Sequence, residues 1–165
     1  MQGRGTVAGG SQPTPPRGSA RPVPAPLGRL IRWAIGLELF LGIGAIGGGL
    51  ALMAGPRGEI VPLPLAALAG SPFGDYFVPG LILFTILGVG PLAAAASAWR
   101  RRPVAPLLAL ATGGALIIWI VVEIAIVGYS NRPPLQAAYL GLGVIITMVA
   151  LRWLRRLRAP GAVLP

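Results

Sequence analysis

Residues 76–99 read YFVPGLILFTILGVGPLAAAASAW, twenty-four positions without a charge, closed by Arg100-Arg101-Arg102. A helix of that length rises about 36 Å at 1.5 Å per residue, enough to cross a hydrocarbon layer of about 30 Å. Three more uncharged apolar stretches match it: Leu39–Pro56, Pro103–Val122 and Pro133–Leu151. They are apolar all round, with no polar face at the helical period, so an amphipathic soluble bundle does not fit them. The fold class expected is an all-α membrane protein, a four-transmembrane-helix bundle with spans near 33–54, 76–99, 104–128 and 134–152.

Composition agrees. Of 165 residues 55% are hydrophobic and 11% charged, against roughly 25% charged in a soluble domain. Cysteine and histidine are both absent. Disulfides, thiol redox relays and thiolate metal sites are thereby excluded, as is histidine ligation of haem or a transition metal. No cofactor, metal site or catalytic constellation is expected.

The net charge of +10 comes from fourteen arginines and no lysine. Their placement explains them better than nucleic-acid binding does. With the N-terminus in the cytoplasm, twelve fall inside: Arg4, Arg17, Arg21, Arg29 and Arg32 before the first span, Arg100, Arg101 and Arg102 in the second connection, and Arg152, Arg155, Arg156 and Arg158 at the end. Only Arg57 and Arg132 fall outside. This is the positive-inside pattern, and it implies a multi-pass membrane protein with both termini cytoplasmic. Trp33, Trp99 and Trp153 stand beside arginines at the inner ends and Tyr76, Tyr129 and Tyr139 at the outer ends, as two interfacial belts would place them. The partners implied are the lipid bilayer, anionic lipids at the arginine-rich face, and a homodimer or another membrane protein; no nucleic acid is expected.

Residues 1–28 are rich in Pro, Gly and Arg and too poor in large apolar side chains to offset ordering entropy, so a disordered cytoplasmic tail is expected. Residues 29–154 form the membrane domain and 155–165 a short basic tail. The first connection is half apolar and is expected to fold back as a short helix around Leu65–Ala69. Ser71 should then cap the second span, with Pro72 at its first position and Asp75 favoured by its positive end. Gly88-Val-Gly90-Pro91 should kink that span, because Pro91 cannot donate to Leu87.

Two carboxylates lie inside spans. Glu38 sits about 7–8 Å from mid-helix toward the cytoplasm and Glu123 about 10 Å toward the outside. An acid in hydrocarbon costs at least about 2.5–3.5 kcal/mol, which makes each a functional candidate. Thr112, Leu116, Trp119 and Glu123 share one face of the third span; Gln136, Tyr139, Gly143 and Thr147 share one of the fourth. If those faces meet, Glu123 bonds Gln136 or Tyr139 and Trp119 walls a small polar pocket opening outward. Glu123 then works there, or simply locks the two helices together or pairs with Arg132. Glu38 works likewise, or pairs with Arg152 or a neighbouring arginine. Gly44-xxx-Gly48 fits close helix packing within the chain or between two copies.

The run Ser71-Pro-Phe-Gly-Asp-Tyr-Phe-Val-Pro-Gly80, with Trp119-Ile-Val-Val-Glu123 and Gln136-Ala-Ala-Tyr139, resembles small uncharacterised four-helix integral membrane proteins of bacteria. The likeness covers residues 33–151 and implies a fold and a location, with no activity to carry over. On function, a non-enzymatic accessory or interaction protein is expected first. A small proton- or cation-coupled transporter using Glu123 or Glu38 is the alternative, and an enzyme built on Glu123, Gln136 and Tyr139 comes third.

Overall fold

A computed structural model describes residues 25–129 and 134–158. Among them are four long helices and no strand: α1 (Ala25–Ala54), α2 (Phe77–Trp99), α3 (Ala105–Val127) and α4 (Leu135–Arg158). All four are long and apolar enough to cross a membrane. Arg132 and most of the expected N-terminal tail lie outside the described residues.

The helices pack as a ring in chain order, α1 on α2, α2 on α3, α3 on α4, and α4 back on α1. Their outward faces carry exposed Phe40, Ile43, Ile86, Ile118, Val121 and Ile145. In water such a surface would be a liability; in lipid it costs nothing, and association must instead come from close packing. Glycines supply that packing. A methyl group on Gly49 of α1 would sit 2.7 Å from the Gly80 carbonyl of α2, and one on Gly80 would sit 2.9 Å from the Gly49 carbonyl. The second hairpin repeats the device, since a methyl on Gly113 of α3 would come within 2.9 Å of the Thr147 nitrogen, and one on Gly143 of α4 within 3.2 Å of the Gly113 carbonyl.

Two apolar layers fill the ring. One joins Leu41, Ala45, Leu87, Leu116, Ile120 and Ile146. The other, at the arginine-rich end, joins Ala34, Ala98, Ala105 and Trp153, with Leu27, Ile31 and Leu157 against it. Those last three explain why α1 starts at Ala25 rather than near residue 33, and why α4 runs to Arg158 rather than ending near 152. The overhanging turns still bury one apolar face while Arg29, Arg32, Arg155 and Arg156 stay exposed. Trp153 departs from the belt expectation: three facing alanines make room for its indole, which is 3% exposed. Trp33 and Trp99 remain out on the surface at 62% and 77%.

The short 3-10 helix of the first connection forms at Leu65–Leu68. The second span, however, begins at Phe77 and not at Ser71-Pro72. Ser71 Oγ instead accepts from the Phe73 amide inside a turn, and Asp75 Oδ1 accepts from the Phe77 amide (2.9 Å), so Asp75 does the capping. Tyr76 holds the intervening chain in the loop, its amide donating to the Pro56 carbonyl and its hydroxyl to the Pro64 carbonyl. Around the Gly-Pro sequence of α2 the helix widens to π geometry over Leu83–Val89. Such a widening is one way to absorb the donor that Pro91 lacks. Three arginines then turn the chain: the Arg102 backbone amide donates to the Ser97 carbonyl and the Arg101 amide to the Ala98 carbonyl, with Arg101 left-handed at φ 53°. This is a Schellman closure with arginine where glycine is usual.

Gly49→Ala should therefore force α1 and α2 apart and cost about 1–3 kcal/mol, the usual range for overpacking. Gly47→Ala, whose methyl would meet nothing within 4 Å, should leave stability unchanged or slightly raised. Thermal unfolding of the two variants in one detergent separates these outcomes.

Candidate functional site

At the end away from the arginine turn, the close packing of α3 on α4 brings Glu123 to Gln136. The Gln136 amide donates to Glu123 Oε1 (3.2 Å) and to the Gly128 carbonyl (3.0 Å). Gly128 ends α3 at φ 82°, so one buried amide ties the carboxylate and the helix terminus together.

Two cavities of about 210 Å³ each adjoin this pair. The first lies under the first connection, roofed by Leu63, Leu68, Phe73 and Tyr76. The second lies among all four helices, with Gly44 and Gly48 of α1 on one side and Tyr139 and Leu135 of α4 on the other. Leu83, Trp119 and Glu123 line both. Thus Trp119, Glu123 and Tyr139 do come together in one place, and Glu123 is the only carboxylate on either wall. Neither cavity is sealed. Val122 and Val127 are exposed beside the first, and Gly44 and Leu135 beside the second.

Gly44 and Gly48 make no backbone contact of the Gly49 kind. A methyl on Gly44 would stand 3.8 Å from the Tyr139 hydroxyl, and one on Gly48 3.4 Å from Leu83. In this chain the pair leaves space instead of closing it.

Glu38 belongs to a different place. It is 1% exposed, in α1 between the two apolar layers. Thr112 Oγ1 of α3 lies 2.7 Å from Glu38 Oε1 and 3.1 Å from the Ala109 carbonyl. A hydroxyl has one proton, so it donates to one of these acceptors at a time. Glu38 Oε2 is buried with no hydrogen-bond partner, and so is Thr147 Oγ1. The arginine expected beside Glu38 is not there. Trp153 and Ala150 take the inward face of α4 and leave Arg152 exposed.

The Glu38–Thr112 bond escaped the sequence reading, which placed Thr112 on the Glu123 face only. A signal existed: Thr112 is the sole hydroxyl of α3, and α1 and α3 run in the same direction from arginine-flanked starts. Among the described residues no group of three or more acidic side chains is suited to a metal ion. No family model, curated protein or solved structure matches the chain.

Thr112→Val keeps the shape and removes the only hydrogen bond to Glu38, so it should destabilise the bundle by about 1–3 kcal/mol. Thr147→Val removes a hydroxyl that bonds nothing and should be neutral or stabilising. Denaturant titrations in mixed micelles, with Thr147→Val as the paired control, measure the difference.

Proposed function

We propose that this chain is a non-enzymatic protein of the bacterial cytoplasmic membrane that acts by binding, as an accessory or interaction protein. Its termini lie in the cytoplasm, where the arginine-rich end meets anionic lipid headgroups. The twelve-to-two arginine split supports that placement. The observation that carries the functional reading is the position of Glu123. It is a lone carboxylate shared by two largely apolar cavities and held by an amide. Such a wall, largely apolar with one carboxylate, offers recognition of a guest. The second reading, a proton- or cation-coupled transporter, is favoured by the orphaned oxygen of Glu38 in a span.

Complementation of a deletion strain separates the two. Glu38→Gln should complement, because its carbonyl still accepts from Thr112, while Glu123→Gln should fold and fail. Failure of a folded Glu38→Gln supports coupled transport. If both variants complement, Glu123 is not the working group and the binding reading falls. Reporter fusions after Arg158 and within residues 56–64 should report cytoplasm and periplasm respectively.

A further inference from the structure

We infer that the paired cavities bind a small organic cation, an ammonium with an apolar body of about one ring. This deepens the binding reading above and rests on it. Charge sets the sign of the ligand. Glu123 is the only carboxylate lining either cavity, and among the described residues no cation pairs with it, so a neutral guest would leave it in largely apolar surroundings without a counter-charge from them. An anion would meet it head-on. An inorganic cation is a poor match, because calcium or magnesium takes six or more oxygen ligands, while Glu123 and the hydroxyls of Tyr76 and Tyr139 are the few oxygens these side chains bring. A quaternary ammonium is weakly hydrated, because its alkyl groups shield the charge, and it brings its own apolar surface, so it needs one carboxylate and hydrocarbon walls.

The aromatics add to the fit. Trp119 lines both cavities and Tyr139 the second, and a cation over an aromatic face is attracted by the ring quadrupole. Size fits as well: each cavity, at about 210 Å³, exceeds the ~150 Å³ that accommodates benzene in an engineered core. The glycines at 44 and 48 clear the space of the second cavity on α1.

Benzyltrimethylammonium, a permanent cation, and its uncharged carbon isostere neopentylbenzene test the inference on the full chain in phosphatidylcholine nanodiscs, with empty discs as blank. Equilibrium dialysis should show saturable binding of the cation by the wild type. Glu123→Gln should weaken it about tenfold or more, which corresponds to one lost charge interaction of moderate strength, and leave neopentylbenzene unaffected. Gly44→Val keeps the carboxylate but fills the second cavity, and should weaken both probes. The inference is overturned if the wild type shows no saturable uptake of the cation, if Glu123→Gln binds it as well as wild type, or if the isostere binds wild type as tightly as the cation does. Absent cation binding alongside a Glu123→Gln variant that still fails complementation means the ligand class is wrong and the role of Glu123 stands. Cation binding as expected alongside full complementation by Glu123→Gln means the site exists and the functional reading falls.

Discussion

Backbone-to-backbone approach at glycine is the constraint on which the rest of this bundle depends. Lipid tails are as apolar as leucine, so the four helices gain little by hiding side chains from their surroundings and must gain by touching. Gly49 against Gly80 and Gly113 against Gly143 let two hairpins close until carbonyl oxygens fill the place of side chains. Once those two seams are fixed, the positions between them follow. The large residues Leu41, Leu87 and Leu116 meet at the centre, and Gly44 and Gly48, lying off the seam, face a void that no side chain fills. The same residue type therefore closes the structure in one register and opens it in another.

Depth explains why the two carboxylates differ so much. Glu38 is enclosed at a level where α2, α3 and α4 present small side chains, with Ala94, Ala95, Ala109 and Ala150 all buried. Tight packing there leaves one hydroxyl as its partner. A carboxyl group in such a setting is a net cost to stability, partly offset by Thr112. Glu123 stands nearer a helix end, where α3 terminates at Gly128. It keeps an amide partner and borders open volume. The first is held in place by what surrounds it, and the second borders space into which something else can enter.

Much of this was legible in the sequence and the remainder was not, for identifiable reasons. The number and approximate limits of the helices follow from runs without charge, a signal that lipid makes unusually clean. The meeting of Glu123 with Gln136 follows from counting faces on two helices joined by a short connection. Side-chain roles at the ends were less readable. Trp153 next to Arg152 looks like an interfacial anchor, yet whether an indole faces lipid or core depends on what stands opposite, and here three alanines on other helices do. Ser71-Pro72 has the composition of a helix start, but the two Tyr76 hydrogen bonds to Pro56 and Pro64 hold that segment to the loop and move the start to Phe77. Partners that lie far along the chain, such as Glu38 and Thr112, require the helix rotations that packing alone decides.

The π-helical stretch of α2 connects these observations. Leu83–Val89 lies opposite Gly42 to Gly49 of α1, and a methyl on Gly88 would sit 2.7 Å from Ile46. A helix with Pro91 at its middle must leave one carbonyl without its usual donor, and a wider turn spreads that deficit over several residues. The widened segment also supplies Leu83, the residue common to both cavities besides Trp119 and Glu123. A regular α-helix would rotate every later side chain by about 100° relative to this arrangement, since one inserted position separates π from α geometry. Leu83 and the buried Ala94 and Ala98 would then no longer face the bundle centre together. The proline in α2 and the cavity beside Glu123 are thus parts of one arrangement, with the irregular turn setting the register that keeps both halves of the helix facing inward.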